Sequence, residues 1–208
     1  MKKTNIEIEI ENFVFPLLKS KRTYLDIGAN IGKASIPFIN IFDKIIAFEP
    51  NLIALEKFKD RPECDYIQIE EFAISNYIGT SEFTCPSSGE SLAHQHGSIN
   101  KNHINSDKRF LQRGLIKNKV NITTIDSYKL TDVDFIKIDC EGEELNVISG
   151  SIETIKKCKP VIYYECNSVE NHEKINKLFA NIGYNTQRTI RYWGAGRKKC
   201  DMLATPNL

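Results

Sequence analysis

Several short apolar runs along the chain end in acidic residues. They cover residues 24–28, 45–50, 135–139 and 161–165, and apolar and polar positions do not alternate within them. Strands that are buried on both faces of a parallel sheet have this pattern. The sequence therefore predicts four parallel strands with carboxylates at their ends, namely Asp26, Glu49, Asp139 and Glu165.

Helical patterns lie between and after these runs. One apolar stripe at the spacing of a helix face precedes Gly183, a typical helix stop, and comprises Ile175, Leu178, Phe179 and Ile182. A second stripe of the same kind comprises Leu145, Ile148, Ile152 and Ile155. Strands that alternate with helices favour right-handed crossovers, so we predict an open parallel sheet with helices on both faces.

Two segments depart from this alternation. Residues 184–193 and 201–205 flank a Gly-Ala-Gly turn at residues 194–196 with no helical pattern between them. This arrangement predicts an antiparallel hairpin that closes the sheet. Pro37 follows Gly32, where a helix is expected, so that helix begins late or is kinked.

The segment from residue 86 to residue 118 has little periodicity. It holds three of the four histidines and is rich in Ser, Asn, Gly and Lys. We predict a long loop with one short helix around residues 109–115. Long loops inside compact domains are usually functional or disordered, so we expect this one to face the substrate as a lid.

Composition narrows the class of protein. The 208 residues are 41% hydrophobic and 26% charged, which is typical of one globular domain, with residues 1–22 as an N-terminal arm. No run approaches the roughly 18 apolar residues of a membrane span, and the acids within residues 6–11 exclude a signal-peptide core. We therefore expect a cytoplasmic protein that does not cross a membrane.

The net charge and the spacing of the cysteines exclude further classes of protein. A formal net charge of +1 gives little drive for nucleic-acid binding, although residues 19–22 and 197–199 are small basic clusters. These clusters are either solvated faces or contacts for an anionic substrate. The six cysteines form no C-x-x-C pair, so we expect reduced thiols and neither a zinc site nor a redox pair. The oligomeric state is not predicted.

The loop after the first strand is the strongest candidate for a ligand site. In open parallel sheets, ligands bind beyond the carboxyl ends of the strands, and Gly28 permits a tight turn and close approach of the backbone. A dinucleotide fingerprint would require glycines where the chain has Asn30 and Lys33, which disfavours an NAD-linked oxidoreductase. Glu49, about twenty residues on, can accept both hydroxyls of a ribose. The residues predict an adenosine-containing cofactor.

Taken together, residues 26–32, 48–51 and 137–143 leading to Gly150 resemble the FkbM-type methyltransferase family. The resemblance spans about residues 22–206 and includes, in the same order, residues 71–75, 123–126, 160–165 and 203–206. It implies a Rossmann-like class I methyltransferase fold of the α/β class. Its sheet would have seven mostly parallel strands, the last one antiparallel, with helices on both faces. It also implies S-adenosylmethionine as cofactor and S-adenosylhomocysteine as product.

The resemblance assigns cofactor contacts position by position. Asp26 and the following loop would hold the methionine half, Glu49 the ribose and Phe72 the adenine edge. The full set is Asp26, Gly28, Ala29, Asn30, Gly32, Glu49, Pro50, Phe72 and Ala73. Two positions depart from the family pattern. Cys140 replaces a larger aliphatic residue and Asp201 replaces a frequent amide.

Candidate catalytic residues follow from the chemistry. Methyl transfer from a sulfonium is an in-line displacement, and an acceptor hydroxyl must lose its proton to a nearby base. Asp139, Glu141 and Glu165 are the candidate bases. Each also has a structural alternative, because Asp139 could cap a helix, Glu141 could lie in its first turn, and Glu165 could hold a loop.

Candidate substrate contacts and alternative functions remain open at this point. His94 and His96 lie in the predicted lid, and Trp193 beside Arg197 could stack on a sugar ring. Because FkbM-like enzymes often modify glycans and natural products, the resemblance implies a saccharide hydroxyl as acceptor. The alternatives are a non-catalytic adenosine-binding module and a metal-assisted enzyme that methylates a small diol through Asp139 and Glu165. The lid histidines lack an obvious fourth ligand, so we expect no metal.

Overall fold

A computed structural model of the chain describes residues 3–87, 96–112, 114–166, 169–189 and 200–207. The strands in this part of the chain are β1 (Thr23–Ile27), β2 (Lys44–Phe48), β3 (Gln68–Glu70), β4 (Ala73–Ile74), β5 (Gly79–Pro86), β6 (Leu115–Thr123), β7 (Val133–Ile138), β8 (Val161–Cys166), β9 (Tyr184–Arg188) and β10 (Cys200–Pro206). The α-helices are α1 (Asn5–Glu9), α2 (Leu52–Lys59), α3 (Lys101–Ser106), α4 (Lys108–Leu111), α5 (Glu144–Ser149), α6 (Ile152–Cys158) and α7 (Val169–Asn181).

Seven of the described strands form the main sheet. Their order is β3-β2-β1-β7-β8-β10-β9, and β10 runs antiparallel to both of its neighbours. The predicted closing hairpin is therefore confirmed, while its turn at residues 190–199 lies outside the described residues. The strand order places β1 and β7 side by side at the centre, where the chain crosses from one half of the sheet to the other.

The central strands are buried on both faces, as their unalternating sequence predicts. Leu25 and Ile136 belong to a hydrophobic cluster that includes side chains of α5, α6 and α7, namely Val147, Ile148, Ile155, Ile175 and Phe179. Tyr24 and Phe135 belong to the cluster on the other face, and their rings stack with centroids 4.6 Å apart. Helical segments thus cover both faces of the sheet.

The N-terminal segment is helical and packs against the sheet. Thr4 and Glu7 form a capping box that starts α1. A π-helical turn (Ile10–Val14) and a 3₁₀ turn (Phe15–Leu17) continue it. Ile10 and Val14 are fully buried in the second cluster, so much of the predicted arm belongs to the core.

Two predicted helices are interrupted for local reasons. The stripe of residues 145–155 forms two helices, α5 and α6, which are separated by Gly150 and Ser151. Gly150 packs closely against another segment, since a Cβ there would lie 2.1 Å from the backbone oxygen of Ser75. After Gly32 the chain forms turns and a 3₁₀ helix (Ile36–Phe38) with Pro37 in its first turn. Because proline has no backbone N–H, a regular helix cannot pass through this point, which confirms the expected irregularity.

The sequence did not reveal a second sheet. Among the described residues it has the order β4-β6-β5, and β5 and β6 pair from Gly79 with Ile122 to Pro86 with Leu115. The prediction of a loop from 86 to 118 with a helix at residues 109–115 was therefore wrong in its bounds. The described part contains α3 and α4, and residue 115 already belongs to β6. Residues 117–119 are polar and interrupt the apolar positions of β6, so it does not stand out as a strand.

The described residues contain no helix that is long and apolar enough to cross a membrane. The cysteines whose side chains are described are all free thiols, namely Cys64, Cys85, Cys140, Cys158 and Cys166.

Gly32 provides a test of this packing. Its φ is +76° and a Cβ would lie 2.3 Å from the buried ring of Phe58 in α2. We expect Gly32→Ala to lower the free energy of unfolding by about 2–5 kcal/mol, since left-handed backbone costs about 1–2 and overpacking about 1–3 kcal/mol. Gly183→Ala is the matched control, because Gly183 has φ +77° with open space around it. If urea unfolding shows equal losses of unfolding free energy for both variants, a clash with Phe58 is not the cause.

Candidate active site

The loop after β1 is pinned between the ends of β2 and β7. Gly28 has φ +76°, and a Cβ at this position would lie 2.0 Å from the backbone oxygen of Asp139. The backbone N–H groups of Gly28 and Ala29 both donate to the carbonyl of Phe48, at 3.0 and 3.1 Å. Asn30 is also left-handed, with φ 54°. The glycine that the sequence singled out is therefore required by the close approach of another strand end.

A buried ion pair lies behind this loop. Asp26 is fully buried, and its carboxylate accepts a hydrogen bond from Ser35 Oγ and lies 3.1 Å from Lys137 Nζ. Lys137 also donates to the carbonyl of Gly28 at 2.9 Å. Burial lowers the pKa of Lys137, but the carboxylates of Asp26 and Asp139 outweigh it and hold that pKa above its ordinary value. Asp26 thus supports the loop from inside the protein.

Glu49 forms the other side of the loop. Its carboxylate accepts backbone N–H groups from Asn30 and Asn51, both at 2.8 Å, and it is 6% exposed. Burial raises the pKa of Glu49 to about 7, although both hydrogen bonds and the charge of Lys137 act in the opposite direction. Glu49 therefore changes its charge near neutral pH.

A cavity of about 1110 Å³ opens at the carboxyl ends of the strands. Single small-molecule sites commonly occupy roughly 300–1,000 Å³, so it can take a cofactor together with part of an acceptor. Most of the predicted cofactor positions line it, namely Gly28, Ala29, Asn30, Glu49, Pro50, Phe72 and Ala73. Gly32 lies instead against Phe58, and Asp26 lies beneath the loop.

All three candidate bases, Asp139, Glu141 and Glu165, line this cavity. The side chain of Asp139 is 49% exposed, and one of its oxygens lies 3.9 Å from Lys137 Nζ. The backbone N–H of Asp139 donates to the carbonyl of Ile27 at 3.0 Å, which fixes the strand end. Glu165 also lines the cavity, and in the β8–β10 register it lies opposite Asp201, which lines it too.

Glu141, the third candidate base, is held by the segment between β5 and β6. Its Oε2 lies 2.9 Å from Arg109 and 3.4 Å from His103 Nε2, and its Oε1 lies 3.1 Å from His96 Nδ1. Arg109 also pairs with Asp107 at 2.6 Å. Burial lowers the pKa of Arg109, but these two carboxylates outweigh it and raise that pKa above its usual value. Glu141 therefore serves as an anchor for this segment.

Side-chain hydrogen bonds to backbone carbonyls also join the segment between β5 and β6 to the loop after β7. Ser98 Oγ donates to the carbonyl of Glu141 and Asn100 Nδ2 donates to that of Gly142, both at 2.8 Å. On the other side, Glu144 accepts the N–H of Gly142 at 3.0 Å, and burial raises the pKa of Glu144 to about 7. The loop after β7 is thus fixed from two directions.

The candidate substrate residues divide into two groups. His96 lines the cavity, whereas His94, Trp193 and Arg197 lie outside the described residues. Cavity residues that the sequence analysis did not single out include Lys137, Tyr163, Arg109 and Asp107. In the part of the chain that the structure describes, no group of three or more His, Cys, Asp or Glu side chains is arranged to hold a metal ion.

The family is decided by comparison with known sequences. The methyltransferase FkbM domain matches residues 26–186. The chain belongs to the FkbM methyltransferase family. This FkbM member is also 29% identical over 186 residues to the 2-O-methyltransferase NoeI of Sinorhizobium fredii, covering 83% of this chain and 75% of NoeI. The resemblance found in its motifs is confirmed, and the protein is a methyltransferase.

Solved structures confirm the fold of this FkbM methyltransferase. An FkbM methyltransferase from Methylobacillus flagellatus has a TM-score of 0.58 and 17% identity, covering 93% of this chain and 46% of its own. This chain thus spans about half the length of that relative. An rRNA methylase from Streptococcus thermophilus has a TM-score of 0.57 and 11% identity, covering 100% and 99%. Both share the class I methyltransferase architecture.

The anchor at Glu141 can be measured by a double-mutant cycle. We expect Arg109→Met and Glu141→Gln to couple by about 1 kcal/mol in urea unfolding, because this pair is largely shielded from water. The matched control is the pair of Lys117 and Glu82, which lies at the same 2.9 Å but is more than half exposed. Its coupling should stay below about 0.5 kcal/mol. Equal coupling in both cycles would show that Glu141 does not anchor the segment.

Proposed function

We propose that this methyltransferase uses S-adenosylmethionine to methylate a hydroxyl group of a saccharide. The observation that carries the proposal is the position of Asp139. It presents a half-exposed carboxylate to the cavity directly beside the loop at Gly28, so a base adjoins the expected cofactor site. When bound, S-adenosylmethionine supplies an electrophilic methyl group.

The residues present fit this cofactor. A carboxylate has about four acceptor positions, and Glu49 uses two of them for the N–H groups of Asn30 and Asn51. The remaining positions suit the two hydroxyls of a ribose at the cavity wall. Phe72 and Ala73 provide an apolar surface beside it for an adenine. A structural relative, SMU.1697c of Streptococcus mutans, was crystallised with S-adenosylhomocysteine, at 10% identity and a TM-score of 0.52.

Asp139 is the proposed general base. It accepts the proton of the acceptor hydroxyl while the methyl group is transferred, so that charge does not build up on the acceptor oxygen. Glu141 is less suited to this task because both of its oxygens face cationic or histidine nitrogens. Glu165 faces the same cavity from β8 and is the second choice.

The acceptor class rests on two supports. NoeI is named as a 2-O-methyltransferase, which favours a hydroxyl as the acceptor here as well. The cavity lining also carries the carboxylates of Asp139, Glu165 and Asp201, and carboxylates of this kind accept hydrogen bonds from polyols. A saccharide has hydroxyl groups that agree with both the relative's name and the carboxylates of the cavity.

Transfer to an acceptor is the direct test of the proposal. Wild-type protein incubated with methyl-deuterated S-adenosylmethionine and fractionated glycans should place the label on a sugar oxygen, detected by mass spectrometry. Asp139→Asn should bind S-adenosylhomocysteine within about threefold of wild type while turnover falls about 10²–10⁴-fold. Unchanged turnover would remove Asp139 as the base. Cofactor binding without transfer to any fraction would favour a non-catalytic binding module.

Cofactor binding should depend on pH through Glu49. The raised pKa means that the side chain carries a proton below about pH 7, whereas ribose hydroxyls bind best to the carboxylate. We expect the Kd of S-adenosylhomocysteine to rise up to about tenfold per unit as pH falls below 7. Glu49→Gln should weaken binding at pH 8 about 10–100-fold and remove this dependence. Calorimetry that shows the same pH dependence in Glu49→Gln would place the titrating group elsewhere.

A further inference from the structure

A charged side chain in the middle of the sheet calls for an explanation. Lys137 lies within β7, one of the most buried strands, and its side chain is 5% exposed. Burial of a charge is costly unless it is paired, and a buried ion pair is often no more stabilising than apolar residues of similar volume. Stability of the sheet alone therefore does not account for Lys137.

The contacts of Lys137 join separate parts of the site. Its Nζ lies 3.1 Å from Asp26 in β1, donates to Gly28 in the cofactor loop at 2.9 Å, and lies 3.9 Å from Asp139 at the end of β7. Asp26 is itself fixed by Ser35. One ammonium group thus contacts the loop that would hold the methyl donor and the carboxylate that would act as base.

We propose that Lys137 is a positioning residue for methyl transfer, which links the Asp139 carboxylate to the cofactor loop and is the cation nearest to that carboxylate. This inference rests on the proposed function of Asp139 as the base. Small errors in alignment are costly in displacement reactions, so an electrostatic link between the donor loop and the base is of direct catalytic value.

The charges around Asp139 make this role specific. Lys137 is the basic side chain that lies within 4.0 Å of the Asp139 carboxylate in the described part of the chain. The other ionisable groups nearby lie in its own loop and at the neighbouring strand ends, namely Cys140, Glu141, Glu144, Asp26, Glu49 and Glu165. When ionised, these groups are all negative. Arg109 offsets the charge of Glu141, whereas Lys137 is the cation that pairs with Asp26 and lies beside Asp139.

The experiment compares two variants that act in opposite directions. Lys137→Met combined with Asp26→Asn removes the cation without leaving a buried carboxylate unpaired. Asp26→Asn alone leaves Lys137 with Asp139 as its nearest carboxylate. Ile136→Val is the control for a change in the same buried strand. The readout is the carbon-detected NMR titration of the Asp139 carboxyl in protein without cofactor.

We expect the midpoint of that titration to move down in Asp26→Asn, since a cation within about 4–6 Å favours the ionised form. In the double variant it should move up, by less than the loss of one cation alone would give, because the loss of the Asp26 charge partly offsets the loss of Lys137. Ile136→Val should not move it. The acidic limb of the pH profile of kcat should shift in the same directions. The kcat of the double variant should be about 10²-fold lower than that of wild type. Lys137→Arg, which keeps the charge, should restore the wild-type midpoint.

Unmoved midpoints in both variants would overturn the proposal and leave Lys137 with a structural role. If the double variant does not fold, Asp26→Asn still decides the question, with Lys137→Arg as the control that keeps the charge. If the midpoints move as expected but wild-type protein methylates no acceptor, the proposed function fails while the link between Lys137 and Asp139 stands.

Discussion

The ion pair between Asp26 and Lys137 is the interaction on which the site depends. It joins the two central strands, β1 and β7, at the level where their carboxyl ends begin to form the cavity. Because the lysine also binds the carbonyl of Gly28, the turn of the loop is tied to the core of the sheet. The fold therefore provides a rigid floor for the site. The polar contacts of this floor lie largely inside the protein.

The walls of the cavity are built on this floor by two other carboxylates. Glu49 binds the loop backbone from β2, and Glu141 binds Arg109 and the histidines of the segment between β5 and β6. The surroundings of each acid therefore give it a different role. Burial makes Glu49 titrate near neutrality, ion pairing occupies Glu141, and partial exposure leaves Asp139 facing the cavity.

Much of the fold could be predicted from the sequence because buried parallel strands have a distinctive pattern. The runs ending at Asp26, Glu49, Asp139 and Glu165 all became strands of one sheet, and the loop at Gly28 lies at its carboxyl edge. The second sheet was missed because Lys117, Asn118 and Lys119 interrupt the apolar positions of β6. Its apolar residues, Leu115, Ile116, Val120 and Ile122, do not alternate strictly, so periodicity does not show a strand.

The sequence predicted which strand ends form the candidate site but not which of its side chains are paired. Sequence position shows that acids lie at strand ends, but it does not show which of them is paired, so Glu141 was grouped with Asp139. The pairing of Glu141 with Arg109 joins residues 32 positions apart across two elements. Lys137 did offer a signal, since a lysine inside an apolar strand run must find a buried partner.

The direct test of this site is a crystal structure of the protein soaked with S-adenosylhomocysteine. We expect both ribose hydroxyls to bind the Glu49 carboxylate, the adenine to lie beside Phe72 and Ala73, and the sulfur atom to face Asp139. A ligand bound away from Glu49, or a saturating soak that leaves this cavity without ligand density, would contradict this expectation.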